Sequence, residues 1–152
     1  MSISAFEKLN AEEKESILRV PVLVSAMIAG ADMDVDQRET ELAQKVMHYR
    51  QFSSDPTLHG YYEAAAESFE ESLEALIASF GGNAQKMVED LKVEIAKINP
   101  VLSKVEADYA NQLVSSWRSL AKRVAEATGG LLGFMSIDAA EKELISLPMI
   151  DL

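Results

Sequence analysis

Residues 101–124 read VLSKVEADYANQLVSSWRSLAKRV, and in this stretch Leu102, Val105, Tyr109, Leu113, Trp117, Leu120 and Val124 recur at steps of three and four. An α-helix turns once every 3.6 residues, so these side chains form one apolar stripe with polar residues on the remaining faces. A strand would alternate with a period of two, and the stretch does not.

The same reading extends upstream. Leu58, Tyr62, Ala65, Phe69, Leu73, Leu76 and Phe80 repeat the three-and-four spacing. They predict one long helix opened by Asp55-Pro56 and stopped by Gly81-Gly82. Asn83 can cap the next helix, with Met87, Leu91, Ile95 and Ile98 inside. Asn99-Pro100 then breaks that helix or starts a new one.

Nearer the N-terminus, Asn10 and Glu13 form a capping-box pattern that opens a short first helix. Pro21 is expected to end it and to occupy the first turn of a second, apolar helix reaching about Ala31. Asp36 and Glu39 repeat the capping box before a helix to about Phe52, with Leu42, Val46, Tyr49 and Phe52 inside. At the other end, Gly129-Gly130 closes the helix of residues 101–124. Asp138 and Glu141 cap a last helix through about Leu147, stopped by Pro148. Strand signals are scarce, and no linker interrupts residues 1–152. The expectation is an all-α fold, a compact bundle of about seven helices in one domain.

Two segments echo each other. Residues 31–43, ADMDVDQRETELA, and residues 133–145, GFMSIDAAEKELI, share Met33/Met135, Asp36/Asp138, Glu39/Glu141, Glu41/Glu143 and Leu42/Leu144. Each follows an apolar, Gly- or Ala-rich stretch and precedes a helix. The echo predicts a pseudo-two-fold pair of helix-loop-helix corners.

Composition narrows the function classes. The formal net charge is −11. Nucleic acid binding needs Lys and Arg to neutralise phosphates, so DNA and RNA are not expected partners, nor is an anionic membrane surface. Residues 55–80 carry six acidic side chains and no Lys or Arg. That run reads as a solvated helix face, or as a surface that attracts a basic protein partner or divalent cations. Cysteine is absent, which removes thiol catalysis and Cys-ligated zinc. No apolar run reaches the roughly 20 residues of a membrane span, and no secretory signal opens the chain. A soluble, cytoplasmic protein is expected, with homo-oligomers left open.

The run LVSAMIAGADMDVDQRETELAQKV, residues 23–46, resembles the first conserved segment of the TerB-like, tellurite-resistance family of helical domains, with Ala31, Asp32 and Glu39 in the matching places. GGLLGFMSIDAAEKELISLP, residues 129–148, is similar to that family's second segment through Ser136, Asp138 and Glu141. One departure is Met33, where the family has glycine. Another is Phe134, which stands where the first copy has Asp32. The resemblance implies a stress-related, metal-linked role without an established catalytic activity.

Asp32, Asp34, Asp36 and Glu39 are the candidate metal ligands, for Ca²⁺ or Mg²⁺. They are not an EF-hand. With Asp32 first, the required Gly and the twelfth-position Glu fall on Gln37 and Ala43. Helix capping explains Asp36 and Glu39 without any metal. His48 and His59 lack the Glu-x-x-His pattern of a carboxylate-bridged di-iron bundle. His59 and Glu63 share a helix face but supply only two ligands. The run Gly129–Phe134 lacks the Lys and Ser/Thr of a phosphate loop. Its Leu131, Leu132 and Phe134 either plug the core or form a contact patch. Trp117 and the Tyr61-Tyr62 pair read as core. The expectation is a non-enzymatic, acidic interaction domain, with a divalent-metal-binding module as the alternative.

Overall fold

The computed structural model describes residues 3–30, 56–129 and 143–152. Helices and short connections make up the described residues, with no strand among them. Six α-helices fall within them: α1 (Ala11–Gly30), α2 (His59–Ala66), α3 (Phe69–Ser79), α4 (Ala84–Ala96), α5 (Asn99–Leu102) and α6 (Ala107–Gly129). Single 3-10 turns at Ser4–Phe6 and Pro56–Leu58 precede α1 and α2.

Helix α1 is the axis of the fold and packs against α2, α3, α4 and α6. This explains its composition, because every residue from Val20 to Gly30 is buried. A helix surrounded on all sides has no polar face to keep. Its start matches the expected capping box: the Asn10 carboxamide accepts from the Glu13 amide at 2.8 Å, and the Glu13 carboxylate accepts from the Asn10 amide at 3.0 Å. The Glu13 carboxylate also meets Lys104 at 2.6 Å. The Lys104 contact and the Asn10 amide hold the Glu13 carboxyl below its usual range.

Two expected helix boundaries need correction. Pro21 does not end a helix; it lies inside α1. Proline lacks an N–H, so the Ile17 carbonyl loses its usual donor four residues on. The buried Tyr61 hydroxyl of α2 supplies the missing donor, at 2.7 Å from the Ile17 oxygen. Trp117 of α6 in turn donates its indole N–H to the Tyr61 oxygen at 3.0 Å. The loss in α1 is thus compensated from α2, by a hydroxyl that α6 holds in place.

The second correction concerns residues 56–80, which form α2 and α3 rather than one helix. The break falls at Glu67-Ser68, where the Glu67 amide bonds the Ala64 carbonyl three residues back, at 3.3 Å. Tyr61 and Tyr62 are adjacent, about 100° apart around the helix, yet both are fully buried. Tyr61 reaches α1, and Tyr62 shares a hydrogen bond with Ser116 of α6. Both pieces still face α1, with Phe69 and Leu73 of α3 buried as well.

Other sequence signals hold. Gly81 and Gly82 stop α3 with φ of +56° and +85°, the left-handed region open to glycine. The Asn83 side chain caps α4, accepting from the Lys86 amide at 3.0 Å. Asn99-Pro100 starts a new helix, the single turn α5. The 101–124 stripe therefore divides: Leu102 and Val105 are buried ahead of α6, and Tyr109 to Val124 share it. Glu106 caps α6, its carboxylate accepting from the amides of Asp108 and Tyr109 at 3.1 Å each.

Trp117, Leu113, Leu120 and Val124 are fully buried against α1. Phe6 packs edge-on to Tyr109, with ring centroids 5.5 Å apart. The segment after residue 143 is pinned at two points. Arg118 donates to the carbonyls of Ser146 and Leu152, and Asn99 bonds the Met149 carbonyl and the Asp151 amide. Within that segment the helical turn covers residues 143–145, and Leu147, fully buried with φ +48°, follows it just before Pro148.

Candidate functional site: an acidic-rimmed groove

The proposed metal ligands Asp32, Asp34, Asp36 and Glu39 lie outside the described residues. So do His48, the paired corners and the run 130–134. Among the described residues no group of three or more His, Asp or Glu side chains is placed to hold a metal. His59 is half-buried at the start of α2. Glu63, Glu70, Glu71 and Glu74 are exposed.

The described structure offers a different feature. Between the first half of α1, the α2–α3 corner and the last turn of α4 lies an open groove of about 940 Å³. On the α1 wall it runs from Glu12 to Leu23. At 1.5 Å per residue that wall is about 16 Å long, or three helical turns. Apolar surface comes from the half-buried Leu18 and Leu76, with Val20, Val22, Leu23 and Ile98 below. Glu12, Glu15, Glu67 and Glu94 supply carboxylates, against two cations, Arg19 and Lys97. Lys97 is engaged with Glu94 at 2.8 Å. Arg19 is exposed and makes no ion pair among the described residues.

Opposite α1, beside Glu67 and Leu76, the wall carries a row of small residues: Ala64, Ser68, Ser72, Ala75 and Ser79. Two of the groove's serines are already committed. Ser16 donates to the Glu13 carbonyl at 2.7 Å, and Ser79 to the Leu76 carbonyl at 2.6 Å. A serine bonded back to its own helix presents little more than a small, closed surface. Neither the apolar stripe nor the glutamates of residues 55–80 mark these positions, which occupy a third face. The signal was present in the steps of four, four, three and four from Ala64 to Ser79.

Deeper in the core, burial pushes the Tyr61 phenol well above its ordinary range, and neighbouring Tyr62 adds to the effect. Tyr109 is pushed up to about 12, by burial first and by Tyr62 second. The hydroxyl of Tyr109 and that of Ser25 are buried without a hydrogen-bond partner among the described residues. Neither residue is part of the groove lining.

Comparison with known proteins adds no relative: no family model matches the chain, and no curated protein or solved structure matches it. No helix among the described residues is long and apolar enough to cross a membrane.

Proposed function

We propose that this chain is a non-enzymatic, acidic helical interaction domain whose groove docks a basic protein partner. The observation that carries the reading is the groove, apolar at its floor and rimmed by four carboxylates against two cations. Its uncommitted positive charge is Arg19 alone among the described residues. The overall charge of −11 would steer a basic partner toward the protein before contact. The TerB-like resemblance of residues 23–46 and 129–148 adds a stress-response, tellurite-linked role to the proposal, and the cytoplasmic setting is the one expected from the sequence.

Two triple variants test it. Glu12→Gln/Glu15→Gln/Glu67→Gln and Glu70→Gln/Glu71→Gln/Glu74→Gln change the net charge equally, but only the first lies on the groove. Binding of a fluorescent lysine-rich peptide should weaken several-fold more in the groove variant than in the other. Equal weakening in both, or no binding by the wild type at about 0.05 M salt, where charges are least screened, would overturn the docking reading. Catalytic turnover of a small substrate would overturn the non-enzymatic one.

A further inference from the structure

We infer that the groove's partner is an amphipathic α-helix of about three turns, basic toward the Glu12–Glu15 end and apolar along its contact stripe. The inference rests on the docking reading above and specifies the form of the partner. Three features of the groove lead to it.

The first is size. The wall from Glu12 to Leu23 is about 16 Å long, which three helical turns would span. The second is the small-residue wall, Ala64, Ser68, Ser72, Ala75 and Ser79, facing the α1 side. Small side chains let a neighbouring helix approach closely, toward the lower end of the 8–10 Å range of interaxial distances.

The third is hydrogen bonding. An extended peptide brings a row of N–H and C=O groups that must find partners. It usually finds them on an open sheet edge, and there is no strand among the described residues. Ser16 and Ser79 already bond their own helices, which leaves the hydroxyls of Ser68 and Ser72 against a whole row of backbone groups. A helix arrives with its backbone satisfied and asks only for apolar contact and complementary charge.

Charge fixes the remaining pattern. Leu18 and Leu76 take the apolar stripe of the incoming helix. Lysines or arginines on its flanks meet Glu12, Glu15 and Glu67, and one acidic residue reaches Arg19. A second copy of this chain is a poor occupant, since each copy carries −11.

Fluorescence anisotropy on the full chain decides the matter, with synthetic peptides of about four turns built from Ala, Leu and Lys. One peptide places its leucines at i, i+3, i+4 and i+7. An isomer scatters the same residues around the helix, and a third carries a central proline. The first should bind at least ten-fold more tightly than the other two and gain helical circular dichroism on binding. Ala75→Trp, which fills the groove from an exposed position, should weaken the first peptide ten-fold or more; Ser79→Trp serves as a second plug should Ala75→Trp fail to fold. Equal affinity for the scattered isomer, or binding unchanged by either plug, overturns the helix inference. The docking reading then still stands or falls on the two glutamine triples. Proline-peptide binding as tight as the first assigns the groove to an extended chain. A dimer of the protein that Ala75→Trp dissociates assigns it to a second copy. Either result also overturns the inference.

Discussion

Tyr61→Phe is the most informative single change in the core. It keeps the ring and deletes the hydroxyl that donates to the Ile17 carbonyl at 2.7 Å and accepts from the Trp117 indole at 3.0 Å. Both partners are fully buried. An unsatisfied buried polar group costs about 1–3 kcal/mol, so the change should cost about 2–6 kcal/mol. The same substitution in a Pro21→Ala background should cost less. Residue 21 then has an N–H that can bond the Ile17 carbonyl within α1, and only the Trp117 partner is stranded. The expected coupling between the two sites is therefore about 1–3 kcal/mol. Urea unfolding followed by far-UV circular dichroism and by emission of the single tryptophan measures all four proteins. Tyr109→Phe is the internal control. Its hydroxyl is buried without a partner among the described residues, so its loss should be neutral or mildly stabilising. A cost below about 0.5 kcal/mol for Tyr61→Phe, or an equal cost in both backgrounds, would refute the claim that the hydroxyl makes good the bond missing at Pro21.

Four further outcomes follow from the same structure. Asn10→Ala should cost about 1 kcal/mol in urea unfolding by removing the α1 cap. Glu13 has a depressed folded pKa, so its contribution is present above the unfolded carboxyl value and is lost as pH falls through the folded value; Glu13→Gln should flatten the acid limb of a stability–pH curve. Tyr109 has a raised folded pKa, so stability present below pH of about 10 should fall as pH rises toward about 12, and Tyr109→Phe should lessen that fall in alkaline unfolding. Gly81→Ala and Gly82→Ala should each cost about 1–2 kcal/mol, because alanine resists the left-handed backbone both glycines adopt; a pair of unaltered midpoints would contradict it.

What the sequence made legible was local. The Asn10/Glu13 box, the Asn83 cap, the Gly81-Gly82 stop and the start at Asn99-Pro100 each act within a few residues, and each stands where the spacing placed it. The all-helical class followed from the two apolar stripes. Pro21 departs from its expected helix-ending role because that expectation counts only the bonds within one helix. The donor that compensates it is the Tyr61 hydroxyl, 44 positions from the Ile17 carbonyl it serves. The break at Glu67-Ser68 escaped notice for a related reason. An apolar spacing of three and four survives a turn, provided both pieces still face α1. The groove could not be read at all, since it depends on how α1, α3 and α4 diverge. The acidic corner at Asp32, Asp34, Asp36 and Glu39 lies outside the described residues, and the metal titration it invites stands as the sequence left it.

The hydroxyl bridge between α1 and α2 also bears on how such a chain can change over generations. Proline at position 21 is tolerable only while something at position 61 can offer a hydrogen. A lineage that loses the tyrosine first passes through a weakened intermediate, whereas one that replaces the proline first does not. Substitutions at the two positions should therefore accumulate in a preferred order, and kin of this chain with a different residue at 21 should show a wider choice at 61.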